Sequence, residues 1–236
     1  MSDSPPPRTS RVRKVTGEVD AKEVSTRSVI PSSQVEFWAP FVRVGETASN
    51  PRKRFAPHPH QQQEVLIYFV EGLALHTTAS GRSEELRPGS VLFLSTRAPT
   101  SHAINPRPGR TARWFSIVSA LPAETAGSQE LSLAVPAASS LQPDGTTVTP
   151  LLGPGTSFRS ALGVEAAALH FREDGTAFPR IGPHHRSLFY ALGGRGTVDN
   201  VPLQVGEAAL IERAAAVSLS GAAGFVVVQA TAPAEG

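Results

Sequence analysis

Hydrophobic and polar positions along this chain fall into short runs that are typical of β-strands rather than helices. Apolar and β-branched residues cluster in four segments of the first half, which we predict as strands: residues 64–70, 74–78, 90–94 and 113–119. Glycines that follow a proline or a polar residue separate them: Gly72, Gly81, Gly89 and Gly109. Short strands divided by turns at regular intervals predict an antiparallel sandwich or barrel.

The same layout returns in the second half of the chain. Residues 187–211 repeat the order seen in residues 66–94: an apolar strand, a glycine turn, a strand, a polar turn and a glycine-anchored strand. Further strands are predicted at residues 165–171 and 225–230. We interpret the recurrence as an internal repeat, which predicts an all-β chain with two barrels in tandem.

This repeat divides the chain into four parts. Residues 1–24 are rich in proline, serine and charge and are predicted to be a disordered tail. Residues 25–122 form the first predicted barrel, and residues 151–236 form the second. Residues 123–150 are interpreted as a linker, within which residues 131–135 are a candidate short strand.

Composition narrows the chemistry of any site. The chain has 236 residues and no cysteine, so disulfides and thiolate metal ligands are excluded and a metal would need His, Asp or Glu. A net charge of +2 does not indicate direct binding to nucleic acid. Because no run of residues is apolar and long enough for a signal peptide or a bilayer span, we expect a cytoplasmic protein with no membrane partner.

Three histidines of the first half have the spacing of a metal site. Successive side chains of a strand face opposite ways, so His58 and His60 share one face and can hold one ion between them. A returning strand that carries His102 would add a third ligand. The alternative interpretation is that His58-Pro59-His60 is only a polar loop before a strand, with His102 in another loop.

These residues, with Glu64, the segment 68–72 (YFVEG) and the turn Pro88-Gly89, resemble the first cupin motif of the pirin family. The resemblance implies a bicupin, that is, two tandem cupin (jelly-roll) β-barrels. It also implies a mononuclear metal, usually iron, that is held by three histidines and a glutamate two residues after the third. His58, His60 and His102 match the histidines, but the glutamate position holds Ile104.

Three neighbouring side chains affect how a metal could bind without that glutamate. Ile104 should share a face with His102 and place an apolar group where the family has a carboxylate. Counting by two from His58 places Glu64 on the same face if the strand is regular, so Glu64 is a candidate fourth ligand or catalytic base. His76 is expected at the surface or in a hydrogen bond, with an inward position near the metal as the alternative.

The second barrel is expected to hold no metal. His184 and His185 are adjacent in sequence, so their side chains would point to opposite faces of a strand. His170 is isolated. We therefore expect this barrel to serve the structure, or to offer a pocket or a surface for a partner.

The resemblance implies two functions, and the altered site suggests a third. The first is a metal-dependent dioxygenase, similar to quercetin 2,3-dioxygenase, that acts on a small aromatic enol bound in the first barrel with iron or another divalent transition metal. The second is a non-catalytic regulatory or metal-sensing protein with a protein partner, such as a transcription cofactor or a regulator of a metabolic enzyme. The third is a metal-free barrel that binds an apolar ligand.

Overall fold

The computed structural model describes residues 12–20, 25–49, 55–123, 130–134, 139–179, 181–182, 184–212 and 217–234. Its regular structure over these ranges consists of β-strands, numbered β1 to β22 in chain order, which form four sheets. The predicted all-β fold class is confirmed. In the same ranges no helix is long and apolar enough to cross a membrane.

A seven-stranded sheet and a four-stranded sheet form the first barrel. The larger sheet has the spatial order β12 (Glu130–Ala134), β9 (Val91–Thr96), β6 (Gln63–Gly72), β11 (Ala112–Ala120), β4 (Phe41–Ser49), β3 (Ser25–Ile30), β2 (Glu18–Asp20). The smaller sheet has the order β5 (His58–His60), β10 (Thr100–Pro106), β7 (Ala74–Thr78), β8 (Ser83–Leu86). All of the strand pairs are antiparallel.

The second barrel repeats this arrangement. Its larger sheet has the order β1 (Val12–Thr16), β20 (Glu207–Glu212), β17 (His185–Gly193), β22 (Val226–Pro233), β15 (Glu165–Phe171), β14 (Thr146–Leu152), β13 (Ser140–Leu141). Its smaller sheet has the order β16 (Gly175–Ala177), β21 (Leu219–Gly221), β18 (Arg195–Val198), β19 (Val201–Gln204). The two strand orders correspond position by position, so the predicted internal repeat is confirmed.

The two seven-stranded sheets pack face to face, and their contact forms the largest apolar cluster of the molecule. Phe41, Leu66 and Phe115 from the first barrel meet Leu188 and Tyr190 from the second. The rings of Phe115 and Tyr190 lie 4.9 Å apart between centroids. Each fully buried side chain of this size contributes about 1.5–3 kcal/mol, so this interface fixes the two barrels relative to each other. Separate clusters fill the two barrel interiors.

The start of the chain differs from the predicted disordered tail. Within residues 1–24, Val12–Thr16 pairs with β20 of the second barrel, and Glu18–Asp20 pairs with β3 of the first. Residues 1–11 and 21–24 lie outside the described residues. Strand β2 is exposed throughout, and β1 buries only Val15 fully. Because these edge strands are mostly polar, they show no apolar alternation that would have predicted them.

The predicted linker also contains strands. Strand β12 overlaps the candidate strand at residues 131–135 and extends the first barrel's large sheet, with Leu131 opposite Leu94. Strand β13 and the first residues of β14 belong to the second barrel's large sheet, so that barrel begins before residue 151. Residues 124–129 and 135–138 lie outside the described residues.

Candidate metal centre

Strands β5 and β10 bring the three predicted histidines together. They pair antiparallel, with His102 opposite His58 and Thr100 opposite His60. The ring centroids of His58, His60 and His102 are separated by 4.7 to 5.0 Å. One nitrogen from each ring lies within 4.8 Å of the others, and this is the one such group found among the described residues. The predicted convergence of three imidazoles therefore appears in the folded chain.

Two of the three nitrogens have the separation that one metal ion requires. His60 Nε2 and His102 Nε2 lie 3.1 Å apart. Two metal–nitrogen bonds of about 2.1 Å that meet at about a right angle would place their nitrogens about 3 Å apart. Imidazole is a suitable ligand for iron, nickel, copper and zinc. The ligand types and the separation of this pair therefore fit a divalent transition metal.

The environment favours the neutral imidazole that a metal needs. Burial, followed by the neighbouring His58, His60 and His76, lowers the pKa of His102 to about 2. Burial and the nearby His60 and Arg43 lower the pKa of His58, against a backbone hydrogen bond with Ala56. Because a metal binds deprotonated imidazole, these shifts preserve the ligating form well below neutral pH.

Hydrogen bonds on the far side of the rings fix their orientation. Gln63 Oε1 lies 3.0 Å from His60 Nδ1, and His76 Nε2 lies 3.1 Å from His102 Nδ1. If each Nδ1 donates its proton in these bonds, both Nε2 lone pairs face the shared centre. His76 in turn has its Nδ1 4.0 Å from a carboxylate oxygen of Glu84.

His76 thus takes the inward position that the sequence offered as an alternative. It is fully buried, and burial is the main cause that lowers its pKa. Its bond to His102 makes it a supporting residue of the site. The pairing of β7 with β10, in which His76 lies opposite Ile104, places it there.

The prediction that Glu64 acts as a fourth ligand or base is not supported by its position. Gln62 has a φ of 52°, which interrupts the extended backbone between β5 and β6 and changes which side chains share a face. Glu64 is buried against the second barrel, where it accepts hydrogen bonds from Ser160 Oγ and, at 2.7 Å, from the Ala161 amide. Ser95 Oγ lies 3.4 Å from the same carboxylate. Glu64 therefore joins the two barrels.

Ile104 lies where the sequence places it, beside the histidines. It lines the same cavity of about 310 Å³ as His58, His60 and His102, and it is only 3% exposed. Trp114 and Val118 extend the apolar part of the wall. None of the described residues that line this cavity is an aspartate or a glutamate. Among the described residues, the site therefore offers a metal three neutral nitrogens and no anionic ligand.

The corresponding strands of the second barrel carry different residues. Strand β16 places Gly175, Thr176 and Ala177 opposite Gly221, Ser220 and Leu219 of β21. The histidines of the second barrel form no cluster among the described residues: His170 and His184 are exposed, and His185 begins β17. Within the described part of this barrel, no group of three ligand side chains suits a metal.

Comparisons with known proteins agree on the architecture. A sequence model of the AraC-like ligand binding domain matches residues 40–153. A comparison with curated proteins finds no match. Bacterial pirin YhhW from Escherichia coli, in complex with nickel(II), has a TM-score of 0.81 and 16% identity over 95% of this chain and 100% of its own.

Two further solved structures are similar. A quercetin 2,3-dioxygenase from Acinetobacter baumannii has a TM-score of 0.80 and 16% identity, and the match covers 95% of this chain and 79% of that one. GK1651 from Geobacillus kaustophilus has a TM-score of 0.79 and 18% identity, over 95% and 94% of the two chains. Identities this low establish the fold and leave the activity open.

The two barrels with their matching strand orders give the chain a bicupin fold, and the first barrel carries the histidine cluster. Within that class, the chain has the pirin-like bicupin fold, as the resemblance of residues 58–102 predicted.

Proposed function

We propose that the first barrel binds one divalent transition metal through His58, His60 and His102, and that the protein is a pirin-like dioxygenase acting on a small aromatic enol. The observation that carries the proposal is the 3.1 Å separation of His60 Nε2 and His102 Nε2 beside a cavity with an apolar wall. The names of the structural neighbours support it, since one is a pirin with nickel and another is a quercetin 2,3-dioxygenase. Iron is the metal that we expect for the oxygenase.

A bound metal would supply Lewis-acid and redox chemistry, with dioxygen as the oxidant. His58, His60 and His102 would hold it from one side and leave the side towards the cavity open. His76 keeps the His102 ring in place through its 3.1 Å hydrogen bond. Trp114, Val118 and Ile104 form an apolar wall that excludes water around a substrate ring.

Proton transfer is the step for which the cavity is least equipped. Glu64 is engaged by Ser160 and Ala161, and no described carboxylate lines the cavity. A substrate with a low enough pKa to arrive as an enolate would need no base. The proposed reaction is therefore restricted to acidic enols.

The observation that favours a second candidate is Ile104. Without a carboxylate ligand, the metal is held more weakly and can exchange with its surroundings, as a metal-sensing or regulatory protein requires. In that case the metal would change stability or partner binding, without turnover.

Dioxygen uptake by the iron-loaded protein separates the two candidates. Protein with about one iron per chain is mixed with quercetin or phenylpyruvate, and oxygen consumption is followed with an electrode. A His102→Ala variant is the loss-of-site control, and His170→Ala changes an exposed histidine of the other barrel. The oxygenase proposal predicts uptake by the wild type and His170→Ala but not by His102→Ala. Full iron occupancy without uptake on either enol would reject catalysis and leave the regulatory candidate.

A further inference from the structure

The ligand cavity of the first barrel has an unbalanced charge. Its described lining includes one permanently charged side chain, Arg43, and no carboxylate. The three histidines contribute neutral nitrogens, so a bound divalent metal would add two further positive charges beside the guanidinium. No described residue that lines the cavity offsets this charge, and a ligand that carries a negative charge would do so.

The backbone of β4 places Arg43 at this cavity. Val118 of β11 is opposite Arg43, but the next residue, Ser119, is opposite Phe41, so β4 has one extra residue at this point. Such a bulge redirects side chains and is common next to functional sites. Beyond it, Val44 faces the other barrel, whereas Arg43 and Thr47 line the cavity. The irregularity thus gives the cavity a cation that strict alternation from Phe41 would place on the opposite face.

Arg43 is also available to a ligand. Its side chain is exposed, and it makes no hydrogen bond or ion pair with another described residue. Two other arginines of this barrel are paired: Arg113 binds Glu46 at 3.0 Å and Arg107 binds Glu85 at 2.9 Å. A guanidinium presents a planar fork of donors that matches a carboxylate or an enolate.

We infer that this cavity takes its ligand as a small monoanion with an apolar body, and that Arg43 is the residue that selects the anion. Thr47 and Ser116 line the same cavity and offer hydroxyl groups to further ligand oxygens. Trp114 and Ile104 offer an apolar surface to the body of the ligand. The inference deepens the proposed function by naming the charge state of its substrate, but the Arg43 contact does not require the metal.

The test compares benzoate with benzamide, which has nearly the same shape and no charge. Dissociation constants are measured by calorimetry on metal-free and nickel-loaded protein, for the wild type, Arg43→Gln and Arg110→Gln. Arg110 is exposed in the turn between β10 and β11, so its variant loses the same charge away from the cavity.

The inference predicts that benzoate binds more tightly than benzamide and that Arg43→Gln weakens benzoate binding about tenfold, as expected for one charge-assisted hydrogen-bonded contact. Benzamide binding should not change, and Arg110→Gln should behave as the wild type. Equal binding of the two probes, or equal effects of the two arginine variants, would overturn it. Failure of nickel to bind would reject the proposed metal centre only, because the metal-free arm still tests Arg43.

Discussion

In the first barrel, the β5–β10 strand pair places three imidazoles beside a cavity, whereas the corresponding β16–β21 pair of the second barrel carries glycine, serine, threonine, alanine and leucine. The surrounding strand order is the same in both. The two barrels differ in the side chains that occupy their interiors, and one topology therefore supports either a polar site or an apolar core.

Two phenylalanines fill the second barrel near its glycines. A Cβ atom added at Gly221 would lie 2.7 Å from both Phe171 Cγ and Phe225 Cδ1, and one added at Gly196 would lie 2.4 Å from the Phe225 ring. The two rings pack 5.6 Å apart between centroids. The phenylalanine rings occupy the space that the glycines, which have no side chain, leave free, so this part of the interior is tightly packed. The first barrel instead contains the cavity of about 310 Å³, so its interior is packed less completely.

The largest effect should come from disturbing the packed barrel. Phe225 is fully buried, so Phe225→Ala should lower the free energy of unfolding by about 3–5 kcal/mol, through lost burial and the cavity that remains. Phe55→Ala is the matched change in the first barrel, where Phe55 is half-buried and already borders the cavity, and it should cost clearly less. Denaturant unfolding measures both. Equal losses would mean that the two interiors are not packed differently.

The next effect concerns the support behind the metal site. His76→Ala removes the hydrogen bond to His102 and should weaken nickel binding by about 10–100-fold, the usual range for residues that orient metal ligands. His76→Gln can still accept the His102 Nδ1 proton and should recover much of the affinity. Competition with a chelator gives the affinities. Weakening by both variants alike would mean that His76 acts through packing rather than through the hydrogen bond.

Restoring a carboxylate should strengthen the site by a smaller factor. Ile104→Glu adds an anionic oxygen beside three neutral ligands, and nickel affinity should rise about tenfold, which corresponds to about 1.4 kcal/mol. Ile104→Gln has the same size without the charge and should not raise the affinity. A glutamate variant that binds nickel no better than the glutamine variant would place residue 104 outside coordination distance.

Lowering the pH should produce the smallest effect, which is a loss of stability that arises in the first barrel. The pKa of His102 is lowered from 6.5 to about 2 in the folded chain, so below about pH 6.5 the unfolded chain binds a proton that the folded chain does not. The free energy of unfolding of the metal-free protein should therefore decrease as the pH is lowered, by about 1 kcal/mol from this group between pH 6.5 and 5.5. His102→Leu should flatten this dependence. An unchanged slope in His102→Leu would contradict the assignment.

Strands with a clear alternation were predictable from the sequence. The ranges of β7 and β15 were predicted to the residue, and the glycines at the predicted turns all have positive φ, as at Gly72 with 84°. The convergence of His58, His60 and His102 followed from the spacing of an extended strand and its return. These features depend on local periodicity and turn chemistry, which a single sequence carries.

The features that were missed depend on tertiary structure or on a single backbone angle. Polar edge strands such as β1 gain stability from a partner strand distant in sequence, and this leaves no local pattern. Glu64 was assigned to the wrong face because Gln62 adopts positive φ, which glycine or asparagine would have signalled more clearly. The role of His76 required knowing that β7 lies beside β10.

Metal content of the purified protein tests the central claim most directly. The wild type, His102→Ala and His170→Ala are loaded with nickel, desalted and measured by elemental analysis against protein concentration. The account predicts about one nickel per chain in the wild type and in His170→Ala, and almost none in His102→Ala. Equal nickel in all three proteins, or none in the wild type, would contradict the assignment of the metal to the three histidines of the first barrel.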